Sequence, residues 1–193
     1  MSLEPPTYPL NFSGSIEVIC GSMYSGKTEE LLKRIKRANY AKQTIEVYKP
    51  IIDNRYDSKN VVSHNANSIN ATAIKKASDI FHLTKNPNVI GIDEVQFFNN
   101  DIIEVCAKLA NNGVRVILAG LDMDYLGKPY GPMPTLLSIA ESITKLHAIC
   151  FKCSKLANHT HRTTKEKKLI SVGEKEKYIA LCRTCYNKNL SNA

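Results

Sequence analysis

An α/β fold on a central, mostly parallel sheet, with a small cysteine-rich module at the C-terminal end, is what this sequence predicts. Three observations carry the prediction. Gly21-Ser22-Met23-Tyr24-Ser25-Gly26-Lys27-Thr28 reads G-x-x-x-x-G-K-T, the pattern of a phosphate-binding loop. Short apolar runs of strand type alternate with segments of helical spacing across residues 16–149, as in parallel strands joined by right-handed crossovers. Cys150-x-x-Cys153 and Cys182-x-x-Cys185 form two paired-cysteine knuckles, a spacing that suits zinc.

Taken in order, residues 1–14 are predicted to be a loose arm, with Pro5, Pro6 and Pro9 in it. Ile16 to Cys20 is an apolar run that predicts the first strand. The glycine loop follows, and then Leu31, Leu32, Ile35 and Ala38 recur at helical spacing among Lys33, Arg34, Lys36 and Arg37. Strand, glycine turn and helix N-terminus are what phosphate binding requires. Glycines let backbone N–H groups turn inward around phosphate oxygens, and the helix dipole adds partial positive charge. Lys27 is placed to reach the outer phosphates, and the Thr28 hydroxyl to hold Mg²⁺. The core is therefore expected to be a P-loop domain of the RecA-like type. The loop specifies a nucleoside triphosphate and leaves the acceptor of the phosphate open.

Thr44 to Tyr48 predicts a second strand, stopped by Pro50. Residues 51–70 are an excursion carrying Asp53, Asn54, Arg55, Tyr56, Asp57 and His64. Ala71 to Leu83 returns a short strand and a helix, and Asn86-Pro87-Asn88 is a turn. Val89 to Asp93 is an apolar run ending in an acid, as expected of a buried parallel strand. A helix is predicted from about Asn100 to Asn112-Gly113, and a strand over Val114 to Ala119. Leu121 to Met133 is a loop with Tyr125 and Tyr130. Pro134 to Ser142 is predicted helical, with the proline in its first turn, and Lys145 to Ile149 is the fifth strand candidate. The expected boundaries are then 15–149 for the P-loop domain and 150–193 for a zinc-binding lasso module.

In parallel sheets of this kind, ligands bind beyond the carboxyl ends of the strands. The loop at Gly21, the acid at Asp93 and the aromatic loop after Gly120 all fall at such ends. Asp93 is placed to hold Mg²⁺, and Glu94, expected on the other side of an extended chain, to act as general base on a hydroxyl.

Charge and composition bound the partners. The 193 residues carry a net charge of +8, from 26 basic and 18 acidic side chains. The cations are spread, on residues 33–37 and 162–168, and suit polyphosphate or nucleic acid equally. There is no Trp, and the aromatics do not interleave with Lys and Arg as on a single-strand binding face. No apolar run approaches the roughly 18 residues of a membrane span, and no signal-like segment opens the chain, so a cytoplasmic location and no membrane partner are expected.

Cys20 and Cys106 lie in apolar segments and are read as small core residues. Four thiolates from Cys150, Cys153, Cys182 and Cys185 would fill a tetrahedral zinc site, which is structural because no coordination position stays open. Unmetallated thiols, or a ribbon that grips nucleic acid, are the alternatives. Between the knuckles, His159, His161, Arg162, Lys165, Lys167 and Lys168 are cationic, and Leu169-Ile170-Ser171-Val172-Gly173 resembles a strand and turn. The basic run is either a solvated face or a lid over a nucleotide.

With these motifs in order, the sequence resembles the zinc-ribbon thymidine kinases, the family that includes the human cytosolic enzyme. The resemblance rests on Gly21–Thr28, Asp53-Asn54-Arg55-Tyr56, Asp93-Glu94-Val95-Gln96-Phe97-Phe98, Leu121-Asp122 with Tyr125, Lys128-Pro129-Tyr130-Gly131, and both knuckles with Tyr178. It covers residues 15–186. It implies transfer of the γ-phosphoryl of ATP to the 5′-hydroxyl of thymidine, with Mg²⁺, giving dTMP and ADP. Glu94 matches the family's general base. Asp53, Arg55, Asp93 and Gln96 match nucleotide and metal contacts. Phe97, Tyr125 and Tyr130 match aromatics around base and sugar, and Leu121 and Thr160 match further pocket residues. Met23 falls where a family methionine abuts the thymine methyl, Leu169–Gly173 match the segment whose backbone binds the base, and Tyr178 supports the sugar end. The family is typically a homotetramer inhibited by dTTP.

Family members often carry Phe where this chain has Tyr24, Tyr125 and Tyr130, so each extra hydroxyl needs a partner if buried. Val95 stands where a small residue is common. One methyl in an apolar pocket is worth only about 1–3 kcal/mol, so deoxyuridine should also be accepted. The rival from another class is a nucleic-acid-binding P-loop ATPase, which the short chain leaves little surface for. A third reading is a kinase for another small hydroxyl substrate.

Overall fold

The computed structural model describes residues 14–52, 60–62, 68–164 and 177–190. Residues 1–13 of the predicted arm, Asp53 to Asp57, His64, Lys165 to Lys168 and Leu169 to Gly173 lie outside the described residues. The chain runs β1 (Ser15–Gly21), α1 (Lys27–Tyr40), β2 (Ile45–Pro50), β3 (Asn60–Val62), β4 (Ser68–Asn70), β5 (Thr72–Ile74) and α2 (Asp79–Leu83). It continues through β6 (Val89–Ile92), a 3-10 turn at Val95–Phe97, α3 (Asp101–Asn111), β7 (Arg115–Gly120), α4 (Met133–Ile139) and β8 (Ser142–Leu146). Last come β9 (Ala148–Ile149), β10 (Leu156–Ala157), β11 (His159–Arg162), β12 (Tyr178–Leu181) and α5 (Arg183–Leu190).

Six strands form one sheet in the order β5-β2-β6-β7-β1-β8, and each neighbouring pair is parallel. Helices cover both faces, which is why the central strands are apolar at successive positions. Successive side chains alternate between faces. Thus Ile19, Ile117 and Ala119 pack with Leu31, Leu32 and Ile35 of α1, while Val18, Cys20, Val116 and Leu118 pack with Ile102, Val105 and Cys106 of α3. The thiols of Cys20 and Cys106 are pushed up to about 11 and about 12, chiefly by burial, as the core reading expects.

One buried charge network crosses the α1 side. The Arg34 side chain is 0% exposed, and its Nη1 lies 2.8 Å from Glu17 on β1. Its Nε meets Glu30 at 3.0 Å and its Nη2 donates to Thr144 on β8 at 2.8 Å. Arg115 on β7 pairs with the same Glu17 at 2.6 Å. Two cations on one carboxylate keep the buried charges of this network compensated, and Arg34 ties the helix that follows the glycine loop to β1 and β8, with β7 joined through Glu17.

Two expectations are corrected. The fifth strand is Ser142–Leu146 rather than residues 145–149, and the preceding helix ends at Ile139. The register explains both: Ser142 pairs with Glu17 and Leu146 with Gly21 along β1, so the strand is complete before Cys150. Ala148–Ile149 instead pairs antiparallel with Leu156–Ala157. This pair, the β11–β12 hairpin and α5 enclose a small separate cluster of Ala148, Cys150, Ala157, Ala180, Leu181, Cys182 and Tyr186. Among the described residues no helix is long and apolar enough to cross a membrane.

Candidate active site

The phosphate loop is a turn held open from β1 to α1. Gly26, the residue before α1, has φ 87°, the left-handed region that glycine enters without penalty. The Lys27 ammonium donates to the Ser22 carbonyl at 2.8 Å and so arches over the loop. Ser25 Oγ is buried and has no hydrogen-bond partner among the described residues. An orphaned hydroxyl in a concave loop at a helix N-terminus suits an anionic oxygen.

The acidic strand end faces this loop. β6 and β1 flank β7, so both carboxyl ends open on one side of the sheet. The Thr28 hydroxyl donates to Asp93 Oδ2 at 3.1 Å. A hydroxyl and a carboxylate touching beside a phosphate cradle are the oxygen ligands Mg²⁺ prefers. The Glu94 N–H donates to Asp93 Oδ1 at 3.0 Å. Glu94 is not on an extended chain as predicted: φ 51° and ψ 40° put it in the left-handed region. The reason is the immediate turn into Val95–Phe97, whose Phe97 N–H bonds back to the Glu94 carbonyl at 3.1 Å. That turn follows directly on the strand end and leaves the Glu94 side chain buried. Gln96 fixes it there, with Nε2 donating to Glu94 Oε2 at 2.5 Å. Gln96 Oε1 accepts from the Leu121 N–H at 3.0 Å. Gly120 permits the approach, because a Cβ there would lie 2.9 Å from Gln96 Oε1.

An aromatic wall rises beside the acids. Phe97 meets Tyr130 edge-on at 6.0 Å. Burial, with the neighbouring Tyr178, Asp124 and Glu94, pushes the Tyr130 phenol up to about 12, so it is a neutral donor at physiological pH. The Arg162 guanidinium sits 3.8 Å above the Tyr125 ring, and its Nη2 donates to the Tyr178 hydroxyl at 2.8 Å. Arg162 is a residue that sequence reasoning assigned only to a basic run. Its signal was the period of two in His159-Thr160-His161-Arg162, which puts Thr160 and Arg162 on one face of β11. On the other face, His159 stacks on Tyr186 at 4.5 Å. Tyr186, also missed, donates its hydroxyl to the Tyr125 carbonyl at 2.8 Å.

The C-terminal lobe is bonded to the phosphate loop itself. Ser22 Oγ donates to the Ala157 carbonyl at 3.4 Å, and the Met23 N–H to Thr160 Oγ1 at 3.0 Å. The Tyr24 hydroxyl donates to the Tyr178 carbonyl at 3.1 Å, which gives that extra hydroxyl its partner. The structure therefore brings together residues 21–28, Asp93, Glu94, Gln96, Phe97, Leu121, Tyr125, Tyr130, Thr160 and Tyr178. Asp53, Arg55 and Leu169–Gly173 fall outside the described residues.

The sulfurs of Cys150, Cys153, Cys182 and Cys185 all lie within 4.8 Å of one another. Burial opposes ionisation of Cys150, yet backbone N–H groups of Cys182, Lys152 and Cys153 pull its thiol down to about 6. Four sulfurs at this spacing, with amides donating to thiolate, match the donor set of a closed zinc site.

Residues 14–186 match the family model described as thymidine kinase. A thymidine kinase of Bacteroides fragilis strain YCH46 is 55% identical over 177 residues, covering 92% of this chain and 89% of the relative. One from Porphyromonas gingivalis strain W83 is 52% identical, covering 91% and 86%. One from Rhodothermus sp. is 49% identical, covering 90% and 81%. Among solved structures, the Legionella pneumophila ATPase DotB gives a TM-score of 0.40 at 14% identity, over 67% of this chain and 35% of that one; the fold assignment rests on the strand order above.

Proposed function

This chain belongs to the thymidine kinase family, and from that premise we propose that it transfers the γ-phosphoryl group of ATP to the 5′-hydroxyl of thymidine. The products are dTMP and ADP, in deoxynucleotide salvage, and deoxyuridine is accepted too. The observation that carries the reading is the contact of Thr28 with Asp93 at 3.1 Å, with Glu94 adjoining. It supports a phosphate cradle and a candidate base opening on one mouth.

In this mechanism the loop N–H groups and Lys27 hold the triphosphate, with Asp53 and Arg55 as further nucleotide contacts. Thr28 and Asp93 would hold Mg²⁺, which neutralises charge on the phosphates. Glu94 accepts the proton of the attacking hydroxyl, and Gln96 keeps that carboxylate oriented. Met23, Phe97, Leu121, Tyr125, Tyr130, Thr160 and Tyr178 shape the nucleoside pocket, and Leu169–Gly173 contribute backbone hydrogen bonds to the base. Cys150, Cys153, Cys182 and Cys185 would hold Zn²⁺, which supplies a cross-link to the lobe. We read residues 15–149 as the nucleotide-binding domain and 150–193 as the lasso module, in a cytoplasmic homotetramer inhibited by dTTP.

Radiolabelled ATP with a nucleoside panel tests the reading. Label in dTMP supports it. ATP hydrolysis stimulated only by DNA or RNA, with no labelled nucleotide, overturns it.

A further inference from the structure

Three successive residues of the phosphate loop are each bonded to a different strand of the C-terminal lobe. Ser22 reaches Ala157 in β10 at 3.4 Å. Met23 reaches Thr160 in β11 at 3.0 Å, and Tyr24 reaches Tyr178 in β12 at 3.1 Å. Tyr24 also stands at φ 64°, a conformation that bulky side chains rarely adopt and that persists only where the surroundings hold it. Its hydroxyl bond to β12 is such a hold. The lobe thus shapes the loop from outside the sheet.

Two of these strands, β11 and β12, also hold the aromatic wall. Tyr178 offers its carbonyl to Tyr24 and its hydroxyl to Arg162, and Arg162 lies over the Tyr125 ring at 3.8 Å. Thr160 and Arg162 share one face of β11. A movement of the loop that breaks the bonds to Thr160 and Tyr178 therefore shifts the hairpin that seats Tyr125. The connection is continuous and made of specific donors and acceptors.

We infer that Tyr24 and Thr160 are positioning residues that couple the nucleotide site to the nucleoside site, so that each ligand tightens the other. This rests on the proposed reading in which the loop takes ATP and the wall takes thymidine. Coupling of this kind is reciprocal. Order imposed on the loop by a nucleotide sets the hairpin for the nucleoside, and order imposed on the wall sets the loop.

Calorimetry on the zinc-loaded full chain tests it with thymidine alone, MgADP alone, and each titrated in the presence of the other. The wild type is expected to bind each ligand about 10-fold tighter when the other is present, by the same factor in both directions. Y24F removes one hydroxyl and keeps the ring, and T160V removes the acceptor for Met23. Each should reduce the factor to about 2–3-fold, whereas T160S, which keeps the hydroxyl, should retain it. A mere loss of lobe stability would lower zinc content as well, so metal analysis accompanies each variant and should stay at the wild-type value. Wild-type thymidine binding with a factor of one overturns the coupling alone, as does an unchanged factor in Y24F. Failure of the wild type to bind thymidine overturns the parent reading and the coupling with it. If T160V does not fold, Y24F decides.

Discussion

The phosphate-binding end and the cysteine lobe border the same site, yet they are held by different physics. The central strands are buried on both faces, with Val18, Ile19, Val116 and Leu118 all at 0% exposure. Its geometry follows from apolar packing, which is dense and tolerates little displacement. The lobe encloses Ala148, Ala157, Ala180 and Leu181 around Cys150, Cys182 and Tyr186. Side chains that small bury too little area to order a unit by themselves. Its order must come from the four sulfurs, from stacked rings, and from bonds to the loop. The positions of Asp93 and Glu94 are set by the sheet, and those of Tyr125 and Tyr178 by a stapled accessory.

Four perturbations act on one region and spare the other. The largest effect is expected from E94Q, which should lower turnover about 10²–10⁴-fold while ATP affinity stays near wild type. Steady-state rates with a nucleotide titration check it, and near-normal turnover would remove Glu94 as the base. Next is R34M, which leaves Glu17 with Arg115 alone. Breaking a buried pair should cost about 3 kcal/mol of core stability in urea, without changing zinc content. An unchanged midpoint would mean the network is dispensable and the sheet rests on packing alone.

The third targets the lobe. C153S should reduce bound zinc and raise the thymidine KM about 10-fold or more, while the thermal transition of the sheet is little changed. Normal zinc content with normal kinetics would show that the sulfurs are not the staple. The smallest effect concerns pH. Cys20 and Cys106 are raised from an ordinary value of 9.0 to about 11 and about 12. The folded state therefore holds these protons more tightly than the unfolded chain. Their contribution is complete below pH 9 and is lost as pH climbs through 11–12, by under about 1 kcal/mol per thiol at pH 9.5. Urea midpoints at pH 8 and 9.5 should differ less in C106A than in wild type.

The two regions were also unequally legible. The glycine loop and the acid that meets it, Asp93, stand out in the sequence, because phosphate binding demands specific residue types at specific offsets, and the structure puts Thr28 in contact with Asp93. Strand β8 is poorly marked in the sequence, since Ser142-Ile143-Thr144-Lys145-Leu146 is half polar. Its place is set by long-range pairing with β1 and by Arg34 reaching Thr144. The left-handed backbone of Glu94 was invisible, as no glycine or asparagine marks it. Arg162 and Tyr186 were missed because their partners Tyr125 and Tyr178 are distant in sequence or across a hairpin, and a local pattern does not report which side chains meet. The four cysteines were legible as a set, while their bonds to the phosphate loop were not.

The placement of β1 has a consequence for how the chain is made. Its neighbours are β7, where Ser15 pairs with Arg115, and β8, where Glu17 pairs with Ser142. At roughly 5–20 residues per second of synthesis, this apolar segment waits about 5–20 s before its first partner has been polymerised. Both pairings close very long loops, so assembly should be slow, and the nascent chain needs shelter from aggregation during that interval. The strand that leads into the phosphate loop is thus made well before either strand it pairs with, and settles only once they are made.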